Sequence, residues 1–78
     1  MDTQASIAAL YRQVLEVDDV SADDDFFVLG GNSLLAMRLL ELIEQELGVK
    51  IPARAFYQGT TVAELSDTVQ ESLQEVAR

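Results

Sequence analysis

Apolar residues recur at intervals of three and four along three stretches of the chain, as one face of a helix requires. In residues 3–16 the stripe comprises Ile7, Leu10, Tyr11, Val14 and Leu15. In residues 33–47 it comprises Ala36, Leu39, Leu40, Ile43 and Leu47. In the last stretch it comprises Val62, Leu65, Val69, Leu73 and Val76. The pattern predicts three amphipathic helices that bury these stripes against one another.

Polar residues and glycines mark the ends of the predicted helices. Asn32 is a favourable N-cap for the second helix, and Gly48 followed by Val49 is a favourable C-terminal cap. Thr61 and Glu64 have the spacing of a capping box. The second helix is therefore predicted at residues 33–47, and the last helix is predicted to begin just after Thr61.

A short segment precedes the last helix. Pro52 permits a new helical start, and residues 53–57 suffice for one or two turns before Gly59 interrupts them. No alternation of apolar and polar residues is long enough to predict a strand. Residues 1–78 are predicted to form one all-α domain, a small bundle of three main helices and one short helix.

A long loop separates the first two main helices. Residues 18–31 have no helical period, beginning with acidic residues and ending with Phe26 to Leu29 and two glycines. The apolar segment is too hydrophobic to be left wholly in water, so we expect an ordered loop with this segment tucked beneath it. Gly30 and Gly31 give the backbone freedom for a sharp turn.

Composition and charge exclude several classes of function. The chain has no cysteine and no histidine, which removes thiolate nucleophiles, Ser-His pairs, and cysteine or imidazole metal sites. We therefore expect no conventional hydrolase and no metal site. The net charge of −9 disfavours nucleic acid and anionic membranes as partners and leaves basic protein surfaces. Without a signal-like start or a membrane span, a cytoplasmic location is expected.

The most informative residues are Gly30, Gly31, Asn32 and Ser33, a glycine turn that leads into a helix. A serine at a helix start is usually only an N-cap. Asn32 can provide the cap alone, however, which leaves the Ser33 hydroxyl spare, and the glycines remove side chains that would crowd it. A phosphate on this oxygen would lie at the positive end of the helix dipole, against free N–H groups.

Other sites match this sequence poorly. A phosphate-binding P-loop needs a lysine after its glycines, and a nucleophile elbow needs glycine where this chain has Leu35. Asp23, Asp24 and Asp25 lack the ligand spacing of a calcium loop, so a solvated acidic loop is the better interpretation. Spacing alone does not exclude catalysis by paired carboxylates, but no pair stands out.

The run DFFVLGGNSLLAMRL, residues 25–39, resembles the core motif of peptidyl carrier proteins, the thiolation domains of nonribosomal peptide synthesis. Ser33 matches the serine that in this family receives 4′-phosphopantetheine from coenzyme A. The thiol of that arm holds an aminoacyl or peptidyl group as a thioester, so the resemblance implies a non-catalytic carrier on which other enzymes act. The resemblance covers nearly the whole chain, because the predicted helices and loop occur in the family's order.

The resemblance has two departures and one close alternative. Asn32 replaces a frequent His or Asp, and Gly59-Thr60-Thr61 replaces a frequent Pro-Thr before the last helix. Acyl carrier proteins of fatty-acid or polyketide synthesis are also similar, but they typically show Asp-Ser-Leu and a more acidic second helix. The preceding glycines and the following Arg38 favour the peptidyl branch. An acidic helical adaptor with no covalent cofactor is the alternative outside this family.

The resemblance also implies partners. These are a phosphopantetheinyl transferase, an adenylation enzyme or domain, and condensation, tailoring or thioesterase enzymes. We expect a monomer, and the start at Met1 without an evident linker predicts a discrete carrier used in trans. A domain excised from a larger synthetase is the alternative.

Two apolar residues of the second helix, Leu34 and Met37, lie off the core stripe and beside Ser33. They form either a small patch for partner docking or packing contacts under the loop or the third helix. Acidic residues around positions 18–25 either steer basic partners or only solvate the domain.

Overall fold

The computed structural model describes residues 2–76. Its helices are α1 (Thr3–Leu15), α2 (Ser33–Leu47), α3 (Ala53–Tyr57) and α4 (Val62–Val76). Within the described residues there is no strand, and the one isolated bridge joins the loop to the start of α4. The prediction of an all-α bundle with one short helix and a long connecting loop is confirmed.

The helix ends follow the capping residues. The Asn32 side chain accepts a hydrogen bond from the Leu35 N–H at 2.9 Å, and Gly48 ends α2 in the left-handed conformation, with φ +72°. At α4 the Thr61 hydroxyl accepts from the Glu64 N–H at 3.2 Å, while the Glu64 carboxylate accepts from the Thr61 N–H at 3.2 Å. This reciprocal pair is the capping box that the sequence predicts.

Helix α1 ends one residue earlier than predicted. Its N-cap is Asp2, whose carboxylate accepts from the Ala5 N–H at 3.1 Å. At the other end Glu16 adopts the left-handed conformation, with φ +56°, while its N–H still bonds to the Arg12 carbonyl. The helix therefore stops at Leu15, although the predicted stretch ran to Glu16.

The core lies where α1 packs against both α2 and α4, and α3 closes one side by contacting α2 and α4. Its buried side chains come from all four helices, the long loop and the connection between α2 and α3. They are Ile7, Leu10, Tyr11, Phe26, Ala36, Leu39, Leu42, Ile43, Val49, Ile51, Phe56, Val62, Leu65 and Val69. No helix among the described residues is both long enough and apolar enough to cross a membrane.

The buried face of α2 differs from the predicted stripe. Leu42 is buried, with a relative exposure of 6%, whereas Leu40 and Leu47 are only partly buried. Helix α2 packs against two neighbours, α1 and α3, so which of its apolar side chains are covered depends on both contacts. The stripes of α1 and α4 lie against the core as predicted, except that the side chain of Val76 lies outside the described residues.

The long loop is attached to the start of α4 by backbone hydrogen bonds. The Val62 N–H donates to the Asp24 carbonyl at 3.3 Å, and the Ala63 N–H donates to the Ala22 carbonyl at 3.0 Å. The Phe26 N–H donates to the Thr60 carbonyl at 3.0 Å. Loop carbonyls thus pair with first-turn N–H groups of α4 that have no partner within the helix.

The tucked apolar segment is only partly as predicted. Phe26 is fully buried, and Phe27 and Leu29 are partly buried against the core. Val28 points outward and is 84% exposed. In the turn at residues 25–30 the exposure rises from Phe26 to Val28 and falls again at Leu29, so one member of this apolar run is left in water.

Candidate functional site

Ser33 is the first residue of α2, and its side chain is exposed. Asn32 precedes it in extended conformation and supplies the cap, so the Ser33 hydroxyl is not needed for that role. The first helical hydrogen bond runs from the Ala36 N–H to the Asn32 carbonyl at 2.8 Å. The N–H groups of Ser33 and Leu34 precede it and have no acceptor within the helix. An anion on the serine oxygen would meet these groups.

The turn before Ser33 is held by the carboxylate of Asp25. It accepts hydrogen bonds from the N–H groups of Phe27 at 2.9 Å and Val28 at 3.1 Å, and a third from the Thr60 hydroxyl. The Thr60 hydroxyl, assisted by these two N–H groups, lowers the pKa of Asp25 below its ordinary value. The ionised carboxylate therefore connects the serine-bearing turn to the residues that precede α4.

The structure requires glycine at both positions of the turn, for different reasons. Gly30 has φ +109°, which side chains of L residues rarely tolerate. At Gly31 an added Cβ would lie 2.4 Å from two ring carbons of Phe26 and 2.7 Å from its carbonyl oxygen. Close packing on Phe26, rather than crowding of the Ser33 hydroxyl, is therefore what requires glycine at position 31.

Phe26 is the centre of an aromatic cluster under this turn. Its ring makes edge-to-face contacts with Tyr11 at 5.2 Å, Phe27 at 5.5 Å and Phe56 at 5.5 Å between centroids. The Tyr11 hydroxyl donates to the Thr60 carbonyl at 2.6 Å. Burial, followed by the charges of Asp25 and Glu64, raises the pKa of Tyr11. The cluster gives the serine turn a rigid base.

Tyr57, the last residue of α3, is a neighbour of the serine that the sequence did not indicate. Its hydroxyl lies 3.5 Å from Ser33 Oγ, and its ring stacks on Phe27 with an interplanar angle of 16°. The two residues are separated by 24 positions. No periodic or local pattern connects them, so only the packing of α3 beside α2 brings them together.

Leu34 and Met37 are exposed beside Ser33, by 76% and 67%, so they do not pack under the loop or α3. With Leu35, Arg38 and Glu41 they line a shallow groove of about 410 Å³. Arg38 and Glu41 form an exposed ion pair at 3.1 Å on its edge.

Val28 is a further exposed apolar residue, carried by the turn that leads into Ser33. The sequence does not indicate it, because the apolar run 26–29 is predicted to lie beneath the loop. The accessible hydroxyl of Ser33 is thus preceded by one exposed apolar residue in the loop and followed by two on α2.

A match to a protein family identifies the class of protein to which the chain belongs. Residues 5–69 match the family described as phosphopantetheine attachment site. The chain belongs to this family. Such domains carry covalent 4′-phosphopantetheine and act as carriers rather than catalysts, which confirms the cofactor and the non-enzymatic role expected from the sequence.

Relatives of this carrier domain include tyrocidine synthase 3 of Brevibacillus parabrevis, which is 44% identical over 69 residues. The match covers 88% of this chain but only 1% of that synthase. Among solved structures, a non-ribosomal PCP domain is 39% identical with a TM-score of 0.75, the match covering 86% of each chain.

A second similar structure is that of the phosphopantetheine transferase Sfp in complex with coenzyme A and a peptidyl carrier protein. It matches with 25% identity and a TM-score of 0.86, over 91% of this chain and 92% of that one. The resemblance to peptidyl carrier proteins noted from the sequence is confirmed.

Proposed function

We propose that residues 1–78 form one peptidyl carrier domain of nonribosomal peptide synthesis, with the 4′-phosphopantetheine arm attached to Ser33. The thiol of the arm would hold an aminoacyl or peptidyl group as a thioester. The observation that carries the proposal is the exposed hydroxyl of Ser33, freed from capping by Asn32, within the residues that match the family.

The attachment step balances with coenzyme A as donor. Ser33 Oγ forms a bond to the phosphorus that carries the pantetheine. The bond from that phosphorus to the adenosine 3′,5′-bisphosphate leaving group breaks, and the serine proton passes to a base of the transferase. The product carries a phosphodiester anion at the start of α2, where helix N–H groups and the helix dipole stabilise negative charge.

The other serines are less suited to this reaction. Ser66 is buried, with 3% exposed, and Ser6 and Ser72 are partly buried on helices. Ser21 is exposed, but its N–H already donates to the Asp24 carboxylate at 2.9 Å, in a loop rich in acidic residues. Negative charge there opposes the approach of the coenzyme A phosphates. Ser33 combines exposure with a local positive potential.

The exposed apolar residues Val28, Leu34 and Met37 support a role in partner docking. A carrier must bind several proteins in turn, so each contact must be weak, and a small patch with a pliable methionine suits that need. We propose the phosphopantetheinyl transferase, an adenylation enzyme, and condensation, tailoring or thioesterase enzymes as these partners. The charge of −9 would steer their basic surfaces toward the domain.

We propose the cytoplasm as the location of this activity, since proteins of that compartment do not rely on disulfide bonds and a domain without cysteine is compatible with it.

The test is incubation with coenzyme A and a broad-specificity phosphopantetheinyl transferase, followed by intact-protein mass spectrometry. We expect a mass increase of one phosphopantetheine group in the wild type and in Ser21→Ala, and none in Ser33→Ala. Ser33→Ala should remain folded, as checked by thermal unfolding, because the residue is exposed. An unmodified wild type would favour the acidic adaptor, and a modified Ser33→Ala would refute the assignment of the site.

A second measurement addresses the cargo. The modified domain is incubated with ATP, an amino acid and an adenylation enzyme. Formation of an aminoacyl thioester that hydroxylamine cleaves would support the peptidyl branch. No aminoacyl thioester here, together with loading in a parallel incubation with malonyl-coenzyme A and a malonyl transferase, would support a carrier of polyketide or fatty-acid type.

A further inference from the structure

Tyr57 is placed beside the proposed attachment residue by the packing of α3 against α2, which brings together two residues 24 positions apart. Its hydroxyl points to Ser33 Oγ at 3.5 Å, as donor to the serine oxygen. This distance exceeds that of an optimal O–H···O bond, so the contact contributes little in the unmodified domain. A phosphate on Oγ would add oxygens beyond the serine, in the space that the tyrosine hydroxyl borders.

The ring of Tyr57 is held so that its hydroxyl stays in this position. It stacks on Phe27 at 5.7 Å between centroids and also contacts Phe56 at 5.6 Å. Phe27 in turn contacts the buried ring of Phe26 edge to face. Tyr57 is nevertheless 49% exposed, so one side of the ring and the hydroxyl can reach a group attached to Ser33.

The Tyr57 hydroxyl is a neutral hydrogen-bond donor, which suits a phosphodiester on this acidic domain. A phosphodiester adds one more negative charge to a chain that already carries −9. Among residues 2–76, Tyr57 is the only one whose side chain donates a hydrogen bond to Ser33 Oγ. The Arg38 guanidinium, further along α2, is paired with Glu41 at 3.1 Å. A neutral hydroxyl can bind the phosphodiester without breaking that ion pair.

We propose that Tyr57 is a positioning residue for the cofactor: in the modified domain its hydroxyl donates a hydrogen bond to a non-bridging oxygen of the phosphodiester on Ser33. This contact orients the first atoms of the arm along the side of α2 that faces α3. The inference rests on the proposed attachment at Ser33.

The chain contains two tyrosines, which allows a direct test with an internal control. Protein labelled with ¹³C at tyrosine Cζ gives two resonances, and Tyr57→Phe assigns them by removing one. On conversion to the modified form, the Tyr57 resonance should shift. The Tyr11 resonance should not, because its hydroxyl bonds to the Thr60 carbonyl in the core.

The other partner of the proposed hydrogen bond, the phosphodiester, can be followed by ³¹P NMR. The ³¹P resonance of the phosphodiester should differ between modified wild type and modified Tyr57→Phe by more than the line width. The thermal midpoints of the two proteins should agree closely, because the substitution keeps the stacked ring. An unchanged Tyr57 resonance, or identical ³¹P resonances, would overturn the inference. Failure of the proposed function can be distinguished from failure of this inference, because mass spectrometry would then show no modification at Ser33.

Discussion

Gly31 packs directly on the ring of Phe26, and its own N–H donates to the Phe26 carbonyl at 3.0 Å. This pair joins the core to the turn that carries Ser33, the proposed attachment residue, because Phe26 is fully buried and Gly31 lies two residues before Ser33. The position of the serine turn therefore depends on a contact that leaves no space for a Cβ atom.

Gly31→Ala is expected to destabilise the domain by about 1 to 3 kcal/mol, the usual cost of overpacking, and to slow modification of Ser33. A smaller ring at Phe26 would not remove the clash, because the Phe26 carbonyl is also only 2.7 Å away. The measurements are urea unfolding and the initial rate of phosphopantetheine transfer.

Gly48→Ala is the control for this prediction. Gly48 has φ +72° and open space around it, so alanine there costs about 1 to 2 kcal/mol from backbone strain alone. It caps the far end of α2 and should leave the transfer rate unchanged at a temperature where both variants are folded. Equal transfer rates in the two variants would contradict the role assigned to the Gly31–Phe26 contact.

Truncation of leucines to alanine should lower the free energy of unfolding more at Leu42 and Leu65 than at Leu40. Leu65→Ala and Leu42→Ala are expected to cost about 2 to 5 kcal/mol, because both side chains are buried. Leu40→Ala should cost less, since Leu40 is only partly buried. Denaturant unfolding gives the three free energies, and a larger loss at Leu40 than at Leu42 would show that α2 buries the stripe predicted from its sequence instead.

Leu34→Asp and Met37→Asp should impair transfer of the arm or loading of the acyl group, because both residues are exposed beside Ser33. Their free energies of unfolding should stay within about 0.5 kcal/mol of wild type, as is usual for surface changes. Ile43→Asp, on the fully buried face, should unfold the domain by burying an unpaired charge. Early melting of the first two variants would instead assign them to the core.

Asp25 should make the stability of the domain depend on pH in the acid range. Its pKa is lowered in the folded state, so its contribution is present above the ordinary carboxyl pKa of about 4. That contribution is lost as the pH falls through the lower folded-state value. Between pH 7 and pH 3, Asp25→Asn should therefore lose less stability than Asp23→Asn, which removes the same charge from an exposed position.

The Thr60 hydroxyl is the main cause of this shift, which gives a second test. In Thr60→Val the pKa of Asp25, followed by ¹³C NMR of its carboxyl group, should rise toward the ordinary value. An unchanged titration would show that the backbone N–H donors alone hold the charge.

Local sequence determined most of the helical architecture. The cap at Asn32, the glycine at position 48 and the pairing of Thr61 with Glu64 act over a few residues, and all three form as predicted. The helical period likewise identified the buried faces of α1 and α4. The run around Ser33 indicates it as the candidate attachment residue, because a second capping residue is redundant there.

Tertiary structure decided how far each apolar side chain is covered and which residues surround Ser33, because both depend on contacts between segments that are apart in sequence. The assembled core buries Leu42 of α2 and only partly buries Leu40, and it leaves Val28 of the loop in solvent. The packing of α3 beside α2 brought Tyr57 to Ser33 across 24 positions. A periodic pattern records which side of a helix is apolar, but only the assembled core determines how much of that side is covered and which side chain from another helix lies next to it.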